Sequence, residues 1–213
     1  MKTSIHLSLD FWGTIATANP LFTQKRNEYL ANELNISVDI IREEYTKLKK
    51  FLDNGAAEYG IAFNSWQCWK LFFDKLGPNI WYHGDKITTD IYQLFYQYPP
   101  IISNDIIDEL DRLQRKGITY NISTNLNFIR GGCIWHVAKD AGLSCDFIVA
   151  SDDVGYSKPS INFFDKIYGY LLPKTRVVHI GNDQLTDGGA TKAGMEFILV
   201  ENPLQLPEIL AKF

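Results

Sequence analysis

Cysteine is scarce in this 213-residue sequence: Cys68, Cys133 and Cys145 are the whole complement. The number is odd and the spacing suits no metal site, so neither a disulfide framework nor a cysteine-bound zinc is expected. Small buried thiols in a reducing compartment are the reading instead. The four histidines, His6, His83, His136 and His179, show no ligand spacing. His179 is read as a structural residue within a strand. Basic excess is also missing. There are 21 Lys and Arg against 25 Asp and Glu, a formal charge of −4, and no basic block. That argues against nucleic acid or an anionic membrane surface as a partner. No apolar stretch approaches the roughly 20 residues that cross a bilayer. The first residues turn into a strand without the apolar region of a signal peptide, so a cytoplasmic location is expected. Internal repeats and low-complexity tracts are absent as well.

What the chain does have is apolar material: 46% of residues are hydrophobic and 14% aromatic. That suffices for one domain, or for a core domain with a modest insert. Residues 5–9 read as a strand ending at Asp10, with Gly13-Thr14 as a turn. From Ala18 to about Tyr98 the pattern is helical. Ser37 caps a helix with Ile40, Ile41, Tyr45, Leu48 and Leu52 at helical spacing. A second helix from Ser65 carries Trp66, Trp69, Phe72 and Phe73 on one stripe, read as core. A third spans about 85–97 and is closed by Pro99-Pro100. Beyond the prolines, strands at 118–123, 147–150, 176–180 and 197–200 alternate with helices at 103–115, 127–141, 160–170 and 187–194. This alternation predicts an α/β fold, a doubly wound parallel sheet, with its active site at the carboxyl ends of the strands. The expected division is a core domain of residues 1–15 and 100–213, with an α-helical insert at 16–99.

Four polar clusters follow predicted strand ends: Asp10 to Thr14, Ser123-Thr124-Asn125, Ser157-Lys158-Pro159, and Gly181 to Asp187. Together they supply a carboxylate nucleophile, hydroxyl and amide donors, a cation and further carboxylates. An aspartate can attack phosphorus or carbon to give a covalent intermediate. Lys158 would hold Asp10 ionised and balance added negative charge. Thr124 would bind an oxyanion, with Ser123 competing for that role. Asp183, Asp187 and Asp10 form a hard oxygen set suited to Mg²⁺.

With these four clusters in this order, the sequence resembles the haloacid dehalogenase superfamily across essentially its whole length. The family's first motif, Asp-x-Asp-x-Thr after a strand, is similar to Asp10, Trp12 and Thr14. Its second motif is similar to Thr124-Asn125, its third to Lys158-Pro159, and its acidic fourth to Gly181 through Asp187. The resemblance implies a Rossmann-like core, a small helical cap and a small-molecule substrate, in a monomer or homodimer. It further implies Asp10, Thr14, Thr124, Asn125 and Lys158 as catalytic residues, with Trp12, Gly13, Ser123 and Arg42 near substrate. Mg²⁺ would be held by Asp10, the Trp12 carbonyl, and residues among Asn182, Asp183 and Asp187. Asn182 stands at the usual aspartate position beside the glycine; Asp183, supported by Asp187, is the preferred ligand of the pair.

The departures from the pattern divide the functional reading. Phosphatases of the family carry a second Asp two residues after the nucleophile as general acid, and here Trp12 stands in its place. An indole supplies no such proton, a contribution typically worth about 10² to 10⁴ in rate. Dehalogenases of the family place an aromatic there and use a cap arginine, for which Arg42 is the candidate by position. The acidic fourth cluster, however, fits the phosphatase-like members. The preferred reading is therefore a Mg²⁺-dependent phosphatase or phosphotransferase acting on a small molecule. The alternatives are carbon–halogen hydrolysis and a family member that acts by binding alone.

Overall fold

The structure, a computed structural model, describes residues 4–77 and 84–213. The expectations for residues 1–3 and for His83 lie outside them. The core is a five-stranded sheet built from β1 (Ile5–Asp10), β4 (Thr119–Thr124), β5 (Ile148–Ala150), β6 (Arg176–Gly181) and β7 (Glu196–Leu199). All neighbouring pairs are parallel, in the order β5-β4-β1-β6-β7. The doubly wound α/β architecture expected from the alternation is the one observed.

Strand β1 occupies the centre, and its two faces differ. Leu7, Leu9 and Phe11 enter the main apolar core. His6, Ser8 and Asp10 alternate with them and are equally buried. A parallel strand buried on both faces is ordinarily a nearly continuous apolar run. Here each polar side chain has a polar partner: His6 meets Thr119 and Asn121 and Ser8 meets Ser123 and His179 across the sheet, while Asp10 meets Lys158 from the loop before α8. Against the sheet pack α5 (Asn104–Arg115), α6 (Gly131–Asp140), the short α7 (Ser151–Val154), α8 (Ile161–Tyr168) and the C-terminal α9 (Leu206–Leu210). Phe163, Phe164 and Ile167 of α8 form a second apolar cluster with Val149, Val177 and Met195.

Between β1 and α5 the chain builds a helical block: α1 (Pro20–Leu34), α2 (Val38–Tyr59), α3 (Ser65–Leu76) and α4 (Gly84–Gln97). The caps explain the boundaries. Asn19 and Ser37 accept backbone N–H bonds at the starts of α1 and α2, Asn64 and Gln67 form a reciprocal capping box at α3, and Gly60 ends α2 in the left-handed conformation. Ile41, Tyr45, Leu48 and Leu52 are buried, as their spacing implies, together with Trp69, Phe72, Phe73 and Phe95. Trp66 departs from its stripe and is 45% exposed. The chain enters and leaves the block through β2 (Ala16–Thr17) and β3 (Ile101–Ile102), which pair antiparallel.

Two predicted helices are altered. The one expected from 127 begins at Gly131, because 125–130 form a loop that packs under the block. The one expected at 187–194 is a 3₁₀ segment, Asp187–Ala193. Gly188 and Gly189 disfavour an α-helix there, and Asp187 is drawn inward by the groups described next.

Candidate active site

Asp10, Thr124 and Gly181 are the last residues of β1, β4 and β6, so their clusters converge at the carboxyl edge of the sheet. At the centre is Lys158, 2% exposed. Its Nζ donates to Asp10 Oδ1 at 2.6 Å, to Asp187 Oδ1 at 2.6 Å and to the Ser123 carbonyl at 3.2 Å. The lysine's main chain is fixed by Asn125, whose amide accepts from Lys158 N–H at 2.8 Å and donates to the Lys158 carbonyl at 3.0 Å. The Lys158-Pro159 peptide is cis. Thr14 donates to Asp10 Oδ2 at 3.1 Å. Asp10, Thr14, Asn125 and Lys158 are thus brought together.

One ammonium serves two carboxylates, and the carboxylates are not equally supported. Asp187 also accepts from His179 Nε2 at 3.0 Å and from the Asp183 N–H at 3.0 Å. Burial alone would raise its pKa, but Lys158 and His179 outweigh burial and hold it well below the usual carboxylate range. Burial pushes Asp10 up to about 6; Asp187 adds to the rise, and Lys158 and Thr14 oppose it. For Lys158, burial opposes the charge, while the two carboxylates restore it and hold the ammonium protonated.

His179, read from the sequence as structural, is part of this network. Burial holds its pKa below the ordinary value, so the ring is neutral. Asp187 can only accept, which places the ring proton on Nε2. Nδ1 must then accept from Ser8 Oγ at 3.0 Å, and Ser8 Oγ in turn accepts from Ser123 Oγ at 3.0 Å. Ser123 Oγ also lies 3.4 Å from the Leu9 carbonyl, so this hydroxyl is held within the sheet. The Thr124 hydroxyl has one long 3.4 Å bond, to the Asn125 carbonyl. A signal for His179 was present in the sequence: polar residues alternate with apolar ones on β1 and β4, which lie in the same sheet as His179.

The fourth cluster is arranged differently from the expectation. Asp183 is exposed, and its Oδ1 accepts from the backbone of Leu185 and Thr186, capping its own turn. Asn182 instead lays its side-chain amide over Gly13, where an added Cβ would lie 2.3 Å from Nδ2. Gly13 has φ +81°, so glycine is required there on both counts. Arg42 is a correction: it lies on the outer face of α2, 62% exposed and paired with Asp39. The buried arginine of the block is Arg26, which stacks 3.5 Å over Tyr45 and bonds to Asn27. Trp12 is half-buried and meets Phe11 and Phe95 edge to face, so the position of the missing acid is filled by an apolar contact with α4.

The residues present decide what cation could be held. Asp183 faces its own turn. Asp187 takes three protein donors, Lys158, His179 and the Asp183 N–H, whereas Asp10 takes two, Lys158 and Thr14. Asp10, the Trp12 carbonyl and the Asn182 amide make an all-oxygen set of the kind Mg²⁺ prefers, with one carboxylate in it.

No protein-family profile and no curated protein matches the sequence. Solved structures do match. YfnB from Bacillus subtilis, described as a HAD-hydrolase and solved bound to magnesium, is 16% identical, with 99% of this chain and 100% of that chain covered at TM-score 0.71. A 2-haloacid dehalogenase from Pseudomonas syringae pv. Tomato is 18% identical, with 98% and 99% covered at TM-score 0.67. A HAD phosphatase from Thermococcus onnurineus is 22% identical, with 98% and 97% covered at TM-score 0.65. The chain has the fold of the haloacid dehalogenase superfamily. At these identities the likeness speaks for the fold, and the chemistry rests on the residues.

Proposed function

We propose that the protein is a hydrolase that uses Asp10 as nucleophile in phosphoryl transfer from a small phosphorylated molecule. The observation that carries this reading is Lys158 held at 2.6 Å between Asp10 and Asp187. A buried lysine in that position balances the nucleophile's charge and supports it as an anionic group arrives. Asp10 attacks phosphorus, the bond to the leaving oxygen breaks, and water then cleaves the aspartyl phosphate. Thr124 donates to a phosphoryl oxygen, and Asn125 keeps Lys158 in register. Residues 16–99 act as a cap that closes over the substrate and excludes water.

Asp10, the Trp12 carbonyl and Asn182 would hold Mg²⁺, and the ion when bound would offset charge on the transferred group. Support for Mg²⁺ comes from these donors and from the magnesium-bound structure of YfnB. Trp12 gives no proton, so leaving groups that depart without one are favoured. The test is release of p-nitrophenol from p-nitrophenyl phosphate, with and without Mg²⁺, on the native chain and on Asp10→Asn. Turnover undiminished in Asp10→Asn rejects the proposal.

The dehalogenase alternative loses its cap arginine, since Arg42 faces solvent. Binding without turnover is favoured by Trp12 and by Asn182 in an aspartate's position; turnover abolished in Asp10→Asn rejects that reading.

A further inference from the structure

Ser157, immediately before the site lysine, is 1% exposed, and the groups it meets belong to the helical block. Its hydroxyl shares its one proton between the Ala56 carbonyl at 3.1 Å, in the last turn of α2, and the Ile61 carbonyl at 3.3 Å, just past it. Its N–H donates to the Gly60 carbonyl at 3.0 Å, and the Ala62 N–H donates to the Gly155 carbonyl at 3.4 Å. Ile61 and Tyr156 are thereby opposed as an isolated antiparallel bridge. Gly60 reaches Ser160 so closely that a Cβ on it would lie 2.7 Å from that residue's own. One side of the lysine loop is therefore tied to the core through Asn125, and the other to the block through Ser157.

We propose that Ser157 is a positioning residue: it makes the placement of Lys158 between Asp10 and Asp187 depend on the block being seated. A block that swings away takes with it the acceptors of the Ser157 hydroxyl and N–H, and the loop is then held from the core side alone. The lysine is fully placed when the site is covered. This rests on the reading of Lys158 as the site cation, but the coupling itself is measurable without turnover.

The test is hydrogen exchange by mass spectrometry, comparing segments 60–64 and 155–160 in the full chain and in Ser157→Ala. Exchange should rise about five- to tenfold in both segments together, as loss of a hydrogen bond implies. Ser157→Thr, which keeps the hydroxyl, should restore protection. A rise confined to 155–160, or none in either segment, overturns the proposal. A second arm leaves Ser157 in place. The opposed pair Ile61 and Tyr156 alternates with the bonded positions, so its Cα atoms lie about 4.5 Å apart, within disulfide reach. The native cysteines are all buried. Oxidising Ile61→Cys/Tyr156→Cys should slow exchange in 155–160 and reduction should reverse it; no change on oxidation again overturns the proposal. With p-nitrophenyl phosphate, Ser157→Ala should lower kcat about tenfold while KM holds, since the nucleophile's support is displaced. A chain that exchanges as expected but shows no turnover would reject the phosphoryl-transfer reading and leave the coupling standing.

Discussion

The side-chain amide of Asn182 rests on the bare α-carbon of Gly13, one residue from the Trp12 carbonyl and three from Asp10. An aspartate at 182 would put a carboxylate where the amide now lies, over Gly13. Cation affinity follows the charge count of such a site. Asn182→Asp should therefore tighten Mg²⁺ binding by about tenfold or more, read from the Mg²⁺ dependence of p-nitrophenyl phosphate turnover or by calorimetry. Unchanged affinity would remove residue 182 from the cation site.

Lys158 and Asp10 should separate stability from activity. Lys158→Met leaves two buried carboxylates facing each other without a cation. Breaking a buried ion pair in this way costs about 3–5 kcal/mol. For a chain of this size Tm should fall by roughly 6–20 °C. Asp10→Asn keeps the Lys158–Asp187 pair, so it should stay within a few degrees of native while turnover is lost. Thermal melts of the two variants side by side check this contrast.

Trp12→Asp should restore a proton donor beside the nucleophile. The gain belongs to substrates with poor leaving groups, by about 10² in relative rate at least. The ratio of alkyl phosphate to p-nitrophenyl phosphate hydrolysis is the measurement. The variant also loses the indole contacts with Phe11 and Phe95, so a lower Tm should accompany it.

Asp152 accepts from the Gly131 N–H at the start of α6. Burial, aided by Asp153, pushes its carboxyl up to about 6 from an ordinary 3.8. Between those values the folded chain binds more proton than the unfolded chain, so this group's stabilisation is lost as pH rises through that window. Asp152→Asn keeps an acceptor for Gly131 and removes the charge. Its Tm should exceed the native value above pH 6, by a few degrees, and the advantage should vanish near pH 4. An equal advantage at both pH values would show that the charge is not the cause.

The fold was legible because its signals are local and repeated: short strand-like stretches alternating with helical ones. The meeting of Asp10, Thr124 and Lys158 was legible for the same reason, since strand ends gather at one edge. The orientation of the fourth cluster was not. Asn182 and Asp183 are neighbours with similar side chains, and their roles part over which one the turn uses to cap itself. Arg42 failed because its position along α2 says nothing of which face the block buries; Ile41 and Tyr45 turn inward and carry Arg42 outward. His179 reads from the sequence as isolated within a strand, because its partners come from other strands: Ser8 on the adjacent β1 and, through Ser8, Ser123 on β4.

The two-residue ribbon of Ala16-Thr17 against Ile101-Ile102 places the departure and the return of the chain side by side, about 5 Å apart. The covalent connections of whatever hangs from that ribbon pass through one point, like a pendant on a clasp. The segment between can lengthen, shorten or be exchanged for another without re-threading a single strand. The chain thereby carries a socket whose contents can be replaced while the carboxylate, the lysine and their supporting strands stay where they are.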